Sequence, residues 1–330
     1  MRAVVISDTS NRTVGIEEVP DPSPADDEVV VDVRVCGINF TDLLSLDGKY
    51  QNNPPPPFTP GKDAAGVVSA VGAGVTGLRE GDRVIAHVVH GGLAERVACP
   101  EALCFPLPDG VAFDAAAAMG LAYQTAYHAL TTRGRLQEGE IVLINGASGG
   151  VGMAAVNLAK PLGAGTVLAG LSSPAKAEAV CAAGADAAID LTREDLRDSL
   201  RAQVFEATGR RPADLVFDLV GGAVFDAALR AIGDEGRAVV AGFTSGAIPQ
   251  LRTNYLLLKN IGVLGMTINS YIHRRSPILA EAQSALFDLL LAGKIDPNIM
   301  ARYPFERYMD AIGLLEERKI VGKAVLEIAE

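Results

Sequence analysis

The 330-residue sequence lacks closely spaced cysteines, long apolar runs and an excess of basic charge. Its four cysteines, Cys36, Cys99, Cys104 and Cys181, form no C-x-x-C pair, so isolated reduced thiols are expected rather than disulfides or a metal site. No run of about 20 apolar residues is present, which predicts no transmembrane helix. The net charge of -11 argues against an extended basic surface for nucleic acid.

The first residues, MRAVVISD, show neither the apolar segment nor the cleavage site of a signal peptide and are typical of a β-strand. A cytoplasmic protein with no nucleic-acid or membrane partner is therefore expected. The length predicts about two domains at roughly 150 residues each. An apolar content of 49% is sufficient for a packed core.

The chain divides into a β-rich part and a part in which strands and helices alternate. Up to about residue 110, β-branched runs such as EVVVDVRV and AAGVVSAV are separated by loops rich in Pro, Gly and Asp. Further on, strands such as EIVLIN and DLVFDLV alternate with helices, which predicts a parallel, doubly wound sheet. Two more helices and a last strand, GKAVLEI, are expected to return to the first domain.

Two glycine-rich stretches are candidates for a dinucleotide-binding turn. VGAGVTGLREGDRV has a complete G-x-G-x-x-G at Gly72, Gly74 and Gly77, but another turn and a β-branched run follow it. A pyrophosphate is bound by the N–H groups of a helix that begins directly after the turn. This first stretch is therefore predicted to connect two strands.

The second stretch, INGASGGVGMAAVNLAK, has a strand, a turn and a helix in the required order. On the same glycine frame, Ala147 replaces the first glycine, and Gly149 and Gly152 match the other two. Glycine lets the backbone approach phosphate and lets the helix lie close to the strand. A tight turn without a ligand is the alternative. The predicted cofactor-binding residues of this turn are Ala147, Ser148, Gly149, Gly150, Val151 and Gly152.

The segment after the next strand, AGLSSPAKAE, indicates which nicotinamide cofactor is bound. NAD-binding proteins usually place an acidic residue near the end of this strand. In AGLSSPAKAE, the first acidic residue is Glu178, well after the end of the strand. Ser172 and Ser173 can hydrogen-bond a 2′-phosphate, and Lys176 can pair with it. These residues favour NADP(H); the alternative for Lys176 is a solvated charge on a helix.

The order of the motifs resembles the zinc-free quinone oxidoreductase (zeta-crystallin-like) branch of the medium-chain dehydrogenase/reductase superfamily. The resemblance covers nearly the whole chain and rests on GINFTDLL, FTPGKDAAGVVSAVGAGV, GDRV, GGLAERVACP, GLAYQTAY, NGASGGVG, SSPAKAE and GKAVLEI. It implies an α/β fold, with a GroES-like β-rich catalytic domain at 1–118 and 270–330 and a doubly wound Rossmann NADPH-binding domain at 119–269. It also implies a homodimer joined through the last Rossmann strands, here IGVLGM.

The resemblance assigns further residues to the cofactor. Thr125 matches a residue that contacts the nicotinamide ribose or amide, and its alternative is a hydroxyl bonded to its own helix. Arg318 matches an arginine that reaches the 2′-phosphate, and its alternative is a surface charge. Gly242 and Phe243 are expected under the cofactor at the carboxyl end of a strand.

Three residues are predicted to be catalytic. In the family, the residue matching Asn39 lies beside the nicotinamide and the one matching Tyr50 lines the substrate pocket. Each can donate a hydrogen bond. The alternative for Asn39 is a loop amide that bonds its own backbone. The alternative for Tyr50 is a partly exposed side chain that serves only in packing. Lys62 is a candidate cation for a developing enolate, and its alternative is an ion pair with Asp63 or Asp42.

The same comparison argues against zinc. Zinc-dependent relatives have Cys, His and Cys (or an equivalent) where this chain has Asn39, Lys62 and Leu121, which are poor ligands or none. The closely spaced cysteines of the structural zinc lobe are missing as well. Two further positions depart from the family. Leu44 replaces a tyrosine that is frequent there, which weakens the prediction of a quinone substrate. Leu191 replaces a tyrosine that often touches the 2′-phosphate, which weakens the prediction of NADP.

The expected activity is zinc-independent transfer of hydride from NADPH to a quinone, an enone or an enal. In these acceptors charge delocalises onto a carbonyl oxygen, so a hydrogen-bond donor can replace a Lewis acid. One alternative is an enoyl-thioester (acyl-CoA) reductase, for which HRR at 273–275 is the local basic candidate. Another is a non-catalytic NADPH-binding structural protein.

Overall fold

The structure is a computed structural model that describes residues 1–329. It divides into two compact units, each with its own main β-sheet. The first unit comprises Met1–Gln124, Asn269–Gly293 and the chain from Pro297 onward. The second unit comprises Thr125–Ile268 and Lys294–Asp296. None of the helices in the described range has both the length and the apolarity that a membrane span requires.

Strands account for most of the first unit and for the centre of the second. They are β1 (Arg2–Asp8), β2 (Thr13–Glu18), β3 (Glu28–Ile38), β4 (Asp63–Val71), β5 (Arg83–His87), β6 (Arg96–Pro100), β7 (Cys104–Pro106), β8 (Ile141–Asn145), β9 (Thr166–Leu171), β10 (Ala187–Asp190), β11 (Ala213–Asp218), β12 (Ile232–Val240), β13 (Gly262–Gly265), β14 (Ile299–Pro304) and β15 (Lys323–Glu327).

The helices differ widely in length. They are α1 (Phe40–Leu46), α2 (Phe113–Met119), α3 (Leu121–His128), α4 (Gly150–Ala159), α5 (Ala177–Ala182), α6 (Leu196–Ala207), α7 (Gly222–Ala231), α8 (Thr253–Lys259), α9 (Asn269–His273), α10 (Ile278–Leu291) and α11 (Tyr308–Glu316). Short 3-10 helices occur at Glu101–Leu103, Pro174–Lys176 and Phe305–Arg307, and a π-helical turn at Ala129–Arg133.

In the first unit, β3 is the central strand of a seven-stranded sheet. It pairs with β4 along one edge and with β6 and β15 along the other, always antiparallel. The main order is β14-β15-β3-β4-β5-β7, and β1 and β2 form a separate ladder. The valine-rich sequence of β3 suits this position, because β-branched side chains pack well on a pleated surface.

The second unit contains six parallel strands in the order β10-β9-β8-β11-β12-β13. All five residues of β8 are buried, as expected for a central strand covered on both faces. The strand order reverses between β8 and β11, and parallel sheets bind ligands outside the carboxyl ends of the strands at such a point. The predicted doubly wound sheet is confirmed.

The loop with the complete glycine pattern lies between β4 and β5, as predicted. Gly72 donates its N–H to the Glu28 carbonyl at 2.8 Å. A Cβ at Gly72 would overlap the carbonyl oxygen of Ala25. Glycine is therefore needed at this position for a close chain crossing in the first unit.

Several elements were not predicted from the sequence. They include β2, β14 and α1. The Ala-rich segment at 113–128 is helical, but it forms two helices, α2 and α3, that are separated at Gly120. A Cβ at Gly120 would overlap the carboxylate of Asp63. The break also lets the Leu121 N–H donate to Asp63 Oδ1 at 2.8 Å.

Candidate functional site

The predicted cofactor turn runs from β8 into α4. Gly146 has a φ of +78°, which favours glycine. A Cβ on Gly152 would overlap the Gly146 carbonyl oxygen, whereas a Cβ on Gly149 would have its nearest neighbour, the same oxygen, at 3.7 Å. Gly152 is thus required for packing, and Gly149 leaves open space where the first N–H groups of α4 have no partner within the helix.

The residues of this turn differ in their exposure to solvent. Ala147 is fully buried, and its N–H donates to the Gly170 carbonyl at 3.1 Å. Ser148, Gly149, Gly150 and Val151 are half-buried. Backbone N–H groups rather than the Ala147 side chain are therefore available to an anion here.

A buried polar pair lies at the reversal of strand order. Asn145, the last residue of β8, donates through Nδ2 to Asp218 Oδ1 at 2.8 Å, and Asp218 is the last residue of β11. The other Asp218 oxygen accepts the Gly221 N–H at 2.7 Å. Burial raises the pKa of Asp218, and the bonds from Asn145 and Gly221 act against that rise.

The residues predicted for the 2′-phosphate follow β9. Ser172 is exposed, and Ser173 and Lys176 are half-buried around the 3-10 helix Pro174–Lys176. Burial lowers the pKa of Lys176. The second unit therefore places hydroxyl groups and an amine after β9, as the cofactor prediction requires.

The remaining cofactor candidates are divided between the units. Gly242 and Phe243 follow β12, where Thr244 donates its N–H to the Leu219 carbonyl at 3.0 Å and so ties two loops of the carboxyl edge together. Thr125 is buried on α3 in the second unit. Arg318 is exposed in the turn after α11, in the first unit.

Asn39 in the first unit is held at both ends of its amide. Oδ1 accepts from Lys323 Nζ at 2.7 Å. Nδ2 donates to Asp63 Oδ2 at 2.8 Å and to the Gly37 carbonyl at 3.3 Å. An amide has two N–H groups, and both are engaged, so the expected role of Asn39 as a donor to substrate does not fit its geometry.

Buried charges surround this amide. Lys323 Nζ also donates to the Ile38 carbonyl at 2.8 Å and lies 3.9 Å from Asp63 Oδ2. Asp42 accepts the N–H groups of Asn39 at 2.8 Å and Gly61 at 3.1 Å. Burial lowers the pKa of Lys323 and raises that of Asp42. This network fixes the loop that carries Asn39.

Lys62 and Tyr50 form a second polar group in the first unit. Lys62 Nζ lies 4.5 Å from the centroid of the Tyr50 ring and donates to the Val89 carbonyl. Asn269 Nδ2 donates to the Tyr50 hydroxyl at 2.8 Å. That bond uses the phenol oxygen as an acceptor and leaves its proton available for donation.

The structure also contains contributors that the sequence did not single out. Asn145 and Asp218 end neighbouring buried strands, and a polar residue at the end of an apolar run is a signal that was available. Lys323 and Asn269 lie 284 and 219 residues from their partners, Asn39 and Tyr50, and no local pattern links such distant positions.

Comparisons with known proteins agree with this architecture. The family model described as "Zinc-binding dehydrogenase" matches residues 150–284, and the "Alcohol dehydrogenase GroES-like domain" matches residues 25–109. Quinone oxidoreductase-like protein 2 from Bos taurus is 34% identical over 317 residues, which cover 96% of this chain and 90% of the relative.

The chain is also similar to solved structures of quinone oxidoreductases. Escherichia coli quinone oxidoreductase complexed with NADPH is 29% identical with a TM-score of 0.89, covering 99% of this chain and 100% of that one. The quinone oxidoreductase from Thermus thermophilus, also solved in a complex with NADPH, is 32% identical with a TM-score of 0.84 and coverage of 99% and 100%.

The chain belongs to the medium-chain dehydrogenase/reductase superfamily, in its quinone oxidoreductase-like branch. It is an oxidoreductase with a GroES-like part and a Rossmann sheet that binds a nicotinamide cofactor. The family resemblance and the predicted fold class are confirmed.

Proposed function

We propose that this protein is a zinc-independent reductase that transfers hydride from NADPH to a quinone or an α,β-unsaturated carbonyl compound. One observation carries the proposal: by family resemblance, the zinc-ligand positions of zinc-dependent relatives are matched here by Asn39, Lys62 and Leu121. A carboxamide, an ammonium group and an alkyl chain cannot replace thiolate and imidazole ligands. Within residues 1–329, no three His, Cys, Asp or Glu side chains are grouped to hold a metal ion.

The second unit has the features that NADPH needs. The open space at Gly149 and the start of α4 suit a pyrophosphate, and Ser172, Ser173 and Lys176 suit a 2′-phosphate. Two solved relatives are named as complexes with NADPH. When bound, NADPH would supply the hydride. We propose that Thr125, Gly242 and Phe243, which lie in the same unit, also contribute to its binding site.

The first unit would bind the acceptor. Tyr50 is the proposed hydrogen-bond donor to the acceptor's carbonyl oxygen, because Asn269 occupies its oxygen as an acceptor and leaves its proton free to donate. Asn39 is assigned a positioning role, since Lys323, Asp63 and Gly37 occupy both ends of its amide.

The enoyl-thioester alternative has less support from the contacts of its basic segment. Carrier phosphates would need the basic segment at 273–275, but Arg275 pairs with Asp27, and Arg274 donates to the Ser270 carbonyl at 2.9 Å and lies over the Tyr271 ring. These arginines are engaged within the first unit.

We infer that two copies associate through the last strand of the second unit. β13 is at the edge of its sheet, and an edge strand can pair with another copy. The preceding helix α8 exposes Leu257 at 81% and Leu258 at 79%. Replacement of both leucines by Asp should convert a dimer to a monomer in light scattering, whereas Leu291→Asp, at an exposed position in the first unit, should not.

The test of the activity is NADPH oxidation with a quinone, an enal and a crotonyl thioester, with NADH as the cofactor control. We expect turnover of the quinone or the enal that persists after treatment with a chelator. Equal rates with NADH would contradict the cofactor assignment. Tight NADPH binding without turnover of any acceptor would instead support the non-catalytic alternative.

A further inference from the structure

Lys62 is a buried ammonium group whose charge has no close counterion. Its side chain is 4% exposed, and its one hydrogen bond is to the uncharged Val89 carbonyl. Within the part of the chain that the structure describes, no carboxylate oxygen lies within 4.0 Å of Nζ. The ion pair with Asp42 or Asp63 that served as the alternative interpretation is not formed. Buried charges are normally paired, and the contact with the Tyr50 ring compensates only part of this charge, so Lys62 is suited to bind an anionic partner.

The two nearby carboxylates are committed to other groups. Asp42 accepts backbone N–H bonds from Asn39 and Gly61. Asp63 accepts bonds from the Asn39 amide and from the Leu121 N–H. Both carboxylates still favour the charged form of Lys62 from a distance, although burial has the larger effect and lowers the pKa of Lys62.

Other titratable groups around Lys62 are Cys36 and His90. Cys36 is buried, and burial raises the pKa of its thiol. Burial also lowers the pKa of His90, and the positive charge of Lys62 adds to that effect. Neither group supplies a negative charge that could neutralise Lys62 in the resting protein.

Lys62 has hydrogen-bond capacity that Asn39 lacks. An ammonium group has three N–H donors, and the Val89 carbonyl takes one of them. The other two are available close to the Tyr50 ring, whose hydroxyl also retains a proton to donate. An oxygen bound by both groups would meet a cation and a neutral donor in a region of low dielectric constant, where such contacts are strong.

We propose that Lys62 is a catalytic residue that binds the carbonyl oxygen of the acceptor and protonates it as the acceptor is reduced. This inference rests on the proposed function. Addition of a hydride, which bound NADPH would supply, to the acceptor carbon would move an electron pair onto the carbonyl oxygen. The Nζ–H bond then breaks, an O–H bond forms, and the neutral amine regains a proton from water. Tyr50 donates a hydrogen bond to the same oxygen throughout.

The inference can be tested without turnover by 4-nitrophenol, whose phenolate imitates the anionic oxygen and is yellow. We expect the NADP+-loaded wild-type protein to bind the phenolate at least about tenfold more tightly than Lys62→Met does, which equals one pKa unit in the bound phenol. Lys319→Met, which removes an exposed lysine of the same unit, should match the wild type. Equal phenolate affinity of wild type and Lys62→Met overturns the inference.

Kinetics separate this inference from the proposed function. We expect Lys62→Met to lower kcat by about 100-fold with unchanged NADPH affinity, as for the loss of one oxyanion donor. If Lys62→Met does not fold, Lys62→Gln, which keeps a donor without the charge, takes its place in both measurements. Unchanged turnover in the variant would contradict only the catalytic role of Lys62. Failure of the wild type to reduce any acceptor would contradict the proposed function instead.

Discussion

Asn145 Nδ2 donates a 2.8 Å hydrogen bond to Asp218 Oδ1, so one buried polar contact joins the carboxyl ends of β8 and β11. Both side chains are fully buried. The contact sits where the strand order of the second unit reverses, beside the turn proposed to bind the pyrophosphate. It therefore links the stability of the sheet to the position of the cofactor turn.

Replacement of Asn145 by Ala should destabilise the protein and weaken NADPH binding. The buried Asp218 carboxylate loses a donor, and leaving a buried polar group unsatisfied costs about 1–3 kcal/mol. The pKa of Asp218, already raised by burial, should rise further. Urea unfolding and NADPH titration measure the two effects. Asn11→Ala, which removes an exposed amide bonded to Asp8, is the control and should change neither.

Two glycines of one turn should respond differently to alanine. A Cβ on Gly152 would overlap the Gly146 carbonyl oxygen, so Gly152→Ala should destabilise the protein by about 1–3 kcal/mol through overpacking. At Gly149 the nearest atom is 3.7 Å away, so Gly149→Ala should fold normally. Its added methyl group would instead enter the space proposed for the pyrophosphate.

Gly149→Ala should thus weaken NADPH binding by about tenfold or more, roughly 1.4 kcal/mol, with an unchanged thermal midpoint. Calorimetric NADPH titration and thermal unfolding of both variants make the comparison. Normal NADPH affinity in Gly149→Ala would exclude this turn as the pyrophosphate site.

The sequence was informative where function depends on local order along the chain. The strand, turn and helix around Gly149 follow from apolar periodicity and glycine spacing, and the same reasoning correctly assigned Gly72 to a strand connection. Sequence patterns did not predict contacts between distant segments. The Asn39 amide was expected to serve substrate, yet Lys323, 284 residues away, engages one end of it. Neighbours of that kind are set by the pairing of β3 with β15, which no sequence period specifies.

Cofactor preference should respond to a negative charge after β9. Ser172 is exposed at the proposed 2′-phosphate position, and a carboxylate there would repel the phosphate while accepting bonds from the ribose hydroxyls of NADH. Ser172→Asp should reduce the ratio of kcat/KM for NADPH to that for NADH by at least about tenfold, or 1.4 kcal/mol. Ser69→Asp adds the same charge in the first unit and should leave the ratio unchanged. A ratio that Ser172→Asp does not alter would place the 2′-phosphate elsewhere.

Stability should fall below neutral pH because of a buried imidazole. His87 is 1% exposed, contacts the Phe105 ring edge-on at 5.1 Å, and has no hydrogen-bond partner for either ring nitrogen within residues 1–329. Burial lowers the pKa of His87 below its usual 6.5, although Asp63 acts in the opposite direction. Burial also lowers the pKa of His128, to about 4.

The unfolded chain therefore binds more protons than the folded protein as the pH falls below about 6.5. The contribution of His87 to stability is complete above that pH and is lost as the pH falls through its folded pKa. His87→Phe keeps an apolar ring of similar shape and removes the titration, so its free energy of unfolding should decline less steeply between about pH 7 and 5. Urea unfolding across this range measures the slope, and His273→Phe, at an exposed position, controls for the loss of a histidine. An equal slope in wild type and His87→Phe would show that burial of this imidazole does not govern the acid sensitivity of the fold.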